Sequence, residues 1–146
     1  MVKSQLDTLL KYEQDKERQA SQQLQSAEHE YQQNLLRLKS VGEYRLEYMK
    51  RLEIRALQGI DSATYSHFHG FIAKLDQAAE QVSIAISQAK ALVEKSKAAW
   101  LLQRQKVQAV ETLRSNQLKK LAIIAEKNEQ KMFDEIATQQ FIRRNY

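Results

Sequence analysis

The side chains of this sequence that could do chemistry are two neighbouring histidines and a set of carboxylates. His67 and His69 are two residues apart, so in a helix they point to different faces, and no third histidine or cysteine lies nearby to complete a metal site. Carboxylates such as Glu47, four residues before Arg51, fit a solvated helix face with ion pairs. The chain has no cysteine, no phosphate-binding glycine loop and no nucleophile motif. We therefore expect no catalytic residue, no metal and no cofactor, and we predict that the protein is not an enzyme.

Basic side chains are concentrated towards the C-terminal end. Residues 1–93 contain 12 basic and 12 acidic side chains, whereas residues 94–146 contain 11 and 6, which accounts for the whole net charge of +5. Such a segment could contact nucleic acid, with an affinity that falls steeply as salt rises. However, its basic residues are spread around the helix, and between Lys95 and Lys131 only Trp100 offers a ring for base stacking. We expect no nucleic-acid partner.

The elements that position these side chains are long helices, because nothing in the composition would interrupt one. The sequence has no proline and only three glycines, and proline is the residue that breaks helix interiors. With a mean hydropathy of −0.64, the chain cannot bury a thick core, but it can bury a narrow seam between two helices. Its apolar runs are far shorter than the ~20 residues of a membrane span, so we predict no transmembrane segment.

Apolar residues recur at alternate steps of four and three in the second half of the chain. The stripe runs from Phe68 to Val110, and of its 13 positions only Ser96 and Gln103 are not apolar. A repeat of about 3.5 residues sustained over this length indicates the seam of a left-handed coiled coil. Farther on we expect the stripe to continue with extra steps of four. These later positions are Leu113, Leu121, Ile124, Asn128 and Met132.

The first half of the chain has a weaker stripe of the same kind. Its positions are Leu6, Leu10, Glu13, Glu17, Ala20, Leu24, Ala27, Tyr31, Leu35, Leu38, Val41, Tyr44, Tyr48, Leu52 and Ala56. Between the stripes Gly59 can end a helix, and Asp61 or Ser62 can cap the next one. We therefore predict an all-α fold of two long helices in an antiparallel coiled-coil hairpin. Its single domain, 1–146, would comprise a helix at about 4–57, a turn at about 58–64 and a helix at about 65–140.

Aromatic residues cluster near the predicted turn. They are Tyr44, Tyr48, Tyr65, Phe68 and Phe71. A two-stranded coiled coil has room for one residue per half-heptad at its seam, and Phe68 takes that place, so we expect Phe71 beside the seam and partly exposed. Two uses stay open for the cluster: core aromatics around a turn, and an exposed apolar patch for a protein partner.

Several short motifs occur in a fixed order before and after the predicted turn. Before the turn stands Tyr44-Arg45-Leu46-Glu47-Tyr48, and after it come Phe71-Ile72-Ala73-Lys74-Leu75 and Ala78-Ala79-Glu80-Gln81. Farther on are Ala98-Ala99-Trp100 and, near the end, Asp134-Glu135. Together, over nearly the whole chain of this proline-free hairpin, they resemble the FliJ family of bacterial flagellar export proteins.

The resemblance implies a non-enzymatic component of the flagellar type III export machine, similar in shape to the stalk of rotary ATPases. It implies a cytoplasmic protein, peripheral at the cytoplasmic face of the inner membrane. Its implied partners are the export ATPase FliI, whose ring receives the end with both termini, the export gate protein FlhA, and the export chaperones. The implied gate-binding residues are Val41, Tyr44, Tyr48, Phe71, Leu75 and Ala78. The implied ATPase-binding residues are Leu6, Leu10, Arg104, Lys119, Lys120 and Lys131.

A rival interpretation belongs to another class of protein. A generic coiled-coil scaffold, or a chaperone that holds export substrates, would use the same heptad stripes. Binding to the export gate separates the two interpretations.

Overall fold

The structure, a computed structural model, describes residues 2–145. Two α-helices, α1 over Val2–Gln58 and α2 over Ser62–Asn145, pack against each other, and the described residues contain no strand. This confirms the predicted all-α hairpin. The helices extend beyond the predicted limits at both ends, so the turn shortens to residues 59–61. The reason is that one glycine with one capping residue is enough to reverse the chain.

The turn is built by Gly59 and Asp61. Gly59 ends α1 with a φ of +88°, and its amide donates a hydrogen bond to the carbonyl of Ala56 at 3.3 Å. Asp61 caps α2, because its Oδ1 accepts the backbone amide of Thr64 at 2.9 Å. A side-chain hydrogen bond from Thr64, together with this amide bond, lowers the pKa of Asp61. The predicted helix end and helix cap are therefore both confirmed.

The described chain divides into two compact units. The hairpin unit, residues 19–101, contains the turn, and the terminal unit contains residues 2–18 and 102–145. Each unit includes a stretch of both helices, so each has a two-helix seam of its own. The prediction of a single domain stays a prediction.

The seam of the hairpin unit follows a strict heptad step on both helices. On α2, every predicted stripe position from Phe68 to Trp100 is buried or half-buried. On α1, the expected positions Tyr44 and Ala56 are wrong, because both are exposed. The alternation of four and three instead passes through Asn34, which is 5% exposed, and the half-buried Arg45. Position on the heptad, more than apolarity, decides which side chains the partner helix covers.

The core of the hairpin unit lies next to the turn. Leu52 on α1 packs with Phe68 and Ile72 on α2, and all three are buried. Tyr48, Met49 and Ile60 lie against this cluster, half-buried. The burial of these apolar side chains stabilises the reversal of the chain.

The seam of the terminal unit is more polar. Val107 and Val110 are buried there, but so is Gln103. The Gln103 Nε2 donates to the Glu13 backbone carbonyl at 3.0 Å and also to the Glu13 carboxylate. Farther along, the Arg114 Nε lies 2.5 Å from the Asp7 Oδ1. Hydrogen bonds between the two helices thus satisfy the polar groups that the seam covers.

The predicted continuation of the α2 stripe beyond Val110 is wrong. Leu113, Leu121, Ile124, Asn128 and Met132 are all exposed, as is every described residue from 119 onwards. The strict heptad goes on only through the half-buried Arg114 and Gln117. Because Asp7 pairs with Arg114 in an antiparallel arrangement, the described part of α1 reaches about residue 119 of α2 and leaves the rest without a partner helix.

Candidate protein-binding site

The residues predicted to bind the export gate lie on both helices of the hairpin unit, and we call them the aromatic patch. They are Val41, Tyr44, Tyr48, Phe71, Leu75 and Ala78. Within the patch, the rings of Tyr48 and Phe71 meet across the two helices with centres 4.3 Å apart and planes inclined by 30°. Both residues are half-buried, as predicted for Phe71. The Tyr48 ring also lies 6.1 Å from that of Phe68, so the pair adjoins the core.

Tyr44 extends the aromatic patch away from the core. Its side chain is 58% exposed, although it stands only four residues from Tyr48 on the same helix face. Val41, Leu75 and Ala78 are half-buried around the pair. The aromatic cluster therefore has a part that packs against the core and a part that is exposed. Tyr48 contributes to the core, and Tyr44 and Phe71 present aromatic surface to solvent.

A groove of about 550 Å³ adjoins the aromatic patch on the side of the turn, and we call it the tip groove. Its lining includes Tyr48, Arg51, Arg55, Thr64, His67 and Phe68. The Arg51 guanidinium lies 5.6 Å from the centre of the Tyr48 ring, and the Arg55 guanidinium lies 5.5 Å from that of Phe68. Our sequence reasoning missed this groove. The signal was available, because Tyr44, Tyr48, Arg51 and Arg55 follow steps of four, three and four, which place them on one helix face.

The residues predicted to bind the ATPase ring are distributed along the terminal unit. Leu6 and Leu10 are half-buried at its seam, and Arg104, Lys119, Lys120 and Lys131 are exposed. A hollow of about 390 Å³ brings Leu10 and Lys119 together beside Leu118. Arg104, Lys120 and Lys131 do not line this hollow. These residues therefore do not form a single site.

The last part of α2 exposes apolar as well as basic side chains. Large apolar residues that are about half exposed or more include Leu121, Ile124, Met132, Phe133, Ile136 and Phe141. In the sequence, the terminal unit contains 13 basic and 9 acidic residues, whereas the hairpin unit contains 10 and 9. The positive charge and the uncovered apolar surface thus occur in the same segment.

The two histidines near the turn, His67 and His69, lie close to neighbouring aromatic rings. His69 lies 4.5 Å from the Tyr65 ring, and His67 lies 6.5 Å from Phe68, measured between ring centres. Over residues 2–145, no three His, Cys, Asp or Glu side chains converge in a way that could hold a metal ion. Within the same range, neither helix contains an apolar stretch of the length that a bilayer crossing requires.

Comparisons with known proteins agree on one family. The family model described as flagellar FliJ protein matches residues 2–146. The flagellar FliJ protein of Salmonella typhi is 28% identical over 107 residues, which cover 73% of this chain and 73% of that protein. No solved structure gave a significant match. The chain therefore belongs to the flagellar FliJ family and is a component of flagellar protein export.

Proposed function

We propose that this chain is a non-enzymatic export component that binds the export gate protein FlhA through the aromatic patch. The observation that supports the proposal is the Tyr48–Phe71 pair, which joins the two helices at 4.3 Å beside a Tyr44 that is 58% exposed. Large aromatic side chains that keep part of their surface in solvent are frequent binding hot spots.

The test removes aromatic surface without opening the core. Tyr44→Ala with Phe71→Ala should reduce the affinity for purified FlhA cytoplasmic domain at least ~10-fold, because hot-spot truncations typically cost this much or more. The same variant should abolish swimming motility. Tyr48 is left in place because it packs against Leu52 and Phe68. Circular dichroism should show a helix content and a melting temperature close to those of the parent.

Tyr65→Ala is the matched control. Tyr65 is an exposed aromatic residue of the hairpin unit that is not part of the patch, and 46% of it is accessible. Its removal should leave gate binding and motility unchanged. If the patch variant stays folded and binds the gate like the parent, the proposal fails, and a generic scaffold or a substrate-holding chaperone becomes the better interpretation.

A second surface, in the terminal unit, is proposed for the export ATPase FliI. It is supported by the hollow that brings Leu10 and Lys119 together and by the excess of basic side chains in this unit. Reversing Lys119 and Lys120 to glutamate should weaken ATPase binding most at low salt, since exposed charges are screened as salt rises. Reversing Lys39 and Lys50 in the hairpin unit gives the same change in net charge and should have no such effect. Equal weakening by both variants would assign the effect to net charge.

These two contacts determine where the protein works. A chain that binds the gate and the ATPase sits in the cytoplasm, peripherally at the cytoplasmic face of the inner membrane, where it passes export chaperones to the machine. Fractionation of cells with and without the gate protein tests this, because the membrane-associated fraction should fall when the gate is deleted. A membrane fraction that does not depend on the gate contradicts the proposal that gate binding determines this location.

A further inference from the structure

The tip groove combines aromatic walls with side chains that can donate hydrogen bonds. Arg51 and Arg55 come from α1, and Thr64 and His67 come from α2. The rings of Tyr48 and Phe68 form the wall behind the two guanidinium groups. Guanidinium groups held against aromatic faces keep their N–H edges free for planar, bidentate acceptors such as carboxylates.

Among the carboxylates of the described residues, only Glu47 forms an ion pair with an arginine of the groove. Asp61 is engaged in capping α2 through the amide of Thr64. Glu47 lies 2.7 Å from Arg51, but both side chains of that pair are more than half exposed, so the pair is weak and its partners can be exchanged. Among the described residues, no carboxylate forms an ion pair with Arg55. The groove therefore has at least one arginine available for an incoming anionic group.

The groove is continuous with the aromatic patch, because Tyr48 belongs to both. The Tyr48 ring packs against Phe71, which belongs to the patch, and the guanidinium of Arg51, which lines the groove, lies over the same ring. A segment that covers Tyr44 and Phe71 and runs towards the turn would therefore pass over Arg51 and Arg55. The volume of about 550 Å³ is enough for a few side chains of an extended peptide.

We infer that the tip groove binds acidic side chains of an extended protein segment whose apolar part covers the aromatic patch. The inference rests on the proposed function, since the segment belongs to the partner that binds the patch. The carboxylates pair with Arg55 and Arg51, and Glu47 is displaced from Arg51 into solvent. The patch thus supplies apolar contact area, and the groove selects segments that carry negative charge beside it.

Nucleic acid is a poorer fit to the same positive charge. A phosphate backbone needs a continuous basic track, but α1 carries Glu43, Glu47 and Glu53 around the two arginines. A short acidic segment needs only the space between the aromatic walls. A peptide is therefore the favoured ligand, and a DNA duplex serves as the comparison in the test.

The test measures binding of the full-length chain to the purified cytoplasmic domain of the gate at about 50 mM and 500 mM NaCl. Arg51→Gln with Arg55→Gln should weaken binding about tenfold at low salt and only about twofold at high salt. Lys39→Gln with Lys50→Gln is the matched control, because it removes the same charge from another face of α1. The control should change binding less than twofold at either salt concentration. If melting curves show that the double arginine variant is unstable, Arg55→Gln alone, which leaves Arg51 with Glu47, replaces it.

The outcomes separate the inference from the proposal on which it rests. If Tyr44→Ala with Phe71→Ala abolishes gate binding while the arginine variant binds like the parent, the groove inference is wrong and the proposed function stands. If neither variant affects binding, both are wrong. Equal losses in the arginine and lysine variants, or arginine-dependent binding of a DNA duplex without arginine-dependent binding of the gate, would also overturn the inference. A selective loss in the arginine variant, largest at low salt, supports it.

Discussion

The hairpin unit and the terminal unit place different side chains on the same heptad geometry. Near the turn, Leu52, Phe68 and Ile72 form a buried apolar cluster. In the terminal unit, a buried Gln103 bonds to Glu13, and the buried Val107 and Val110 follow it along α2. Apolar burial is the main source of stability in a two-helix seam, whereas a polar layer mainly fixes which residues lie opposite each other. The difference indicates that the hairpin unit contributes most of the stability. The terminal unit contributes less stability and mainly fixes the register of the two helices.

The comparison also bears on the proposed functions of the two units. A stable hairpin unit keeps the aromatic patch in one geometry, so that a partner meets a surface that is already formed. A terminal unit with a polar seam and uncovered apolar side chains on α2 gains more from a partner that covers it. Mutations in the two seams test this division directly.

The largest expected effect is in the apolar cluster. Ile72→Ala removes three carbon atoms from a side chain that is 6% exposed and should lower the free energy of unfolding by about 3 kcal/mol. Val107→Ala removes two carbon atoms from the terminal seam and should cost about 1 kcal/mol, because we expect the more polar seam to rearrange around the gap more easily. Denaturant unfolding measures both values. Ile84→Ala, at a side chain that is 55% exposed, is the control and should change stability by less than about 0.5 kcal/mol.

The proposed difference between the two seams is contradicted if Ile72→Ala and Val107→Ala lower the free energy of unfolding by the same amount per carbon atom removed. Equal losses would mean that the terminal seam is packed as tightly as the apolar cluster. Its polar layer would then be an isolated feature of an otherwise ordinary coiled coil.

An intermediate effect on stability is expected at the polar layer that Gln103 and Glu13 form. Glu13→Ala removes the carboxylate that accepts the Gln103 amide and should destabilise the chain by about 1 kcal/mol, although the Glu13 carbonyl still accepts at 3.0 Å. Glu13→Leu with Gln103→Leu replaces both partners with apolar side chains and should be neutral or stabilising. Thermal unfolding of the two variants gives their order. A double variant less stable than Glu13→Ala would show that the layer contributes stability as well as register.

The heptad pattern was sufficient to predict the two helices and most of their seam, because buried positions must recur about every 3.5 residues whatever their chemistry. The wrong seam positions arose where the prediction chose an apolar residue over the residue at the strict heptad spacing. Leu113 and Tyr44 are exposed, while the polar side chains next to them in sequence, Arg114 and Arg45, lie half-buried at the seam and form ion pairs with the opposite helix. Long arginine side chains can cover a seam with their stems and keep the charge at its edge, which a hydropathy pattern does not register.

The proposed binding surface was predictable only in part. The pairing of Tyr48 with Phe71 depends on which turn of α1 faces which turn of α2, and that alignment is set by a turn of three residues. The prediction placed the turn over a longer segment, so it could bring the aromatic residues to one end without stating which rings meet. The spacing of Tyr48, Arg51 and Arg55 already placed them on one face of α1. Which residues of α2 complete the tip groove depends on the same alignment.

The smallest expected effect concerns the cap that sets this alignment, and it depends on pH. The pKa of Asp61 is lowered by the hydrogen bonds from Thr64, so its contribution to stability is present above the unfolded-state pKa of about 3.9 and is lost as the pH falls through the lower folded-state value. Asp61→Asn keeps a capping oxygen that does not titrate. The parent should therefore melt slightly above this variant at neutral pH, and the difference should shrink as the pH falls and disappear once Asp61 is protonated in the folded state. The other carboxylates titrate in both proteins and cancel in the difference. A gap that stays constant from neutral to acid pH would show that the ionised Asp61 contributes nothing to holding the turn.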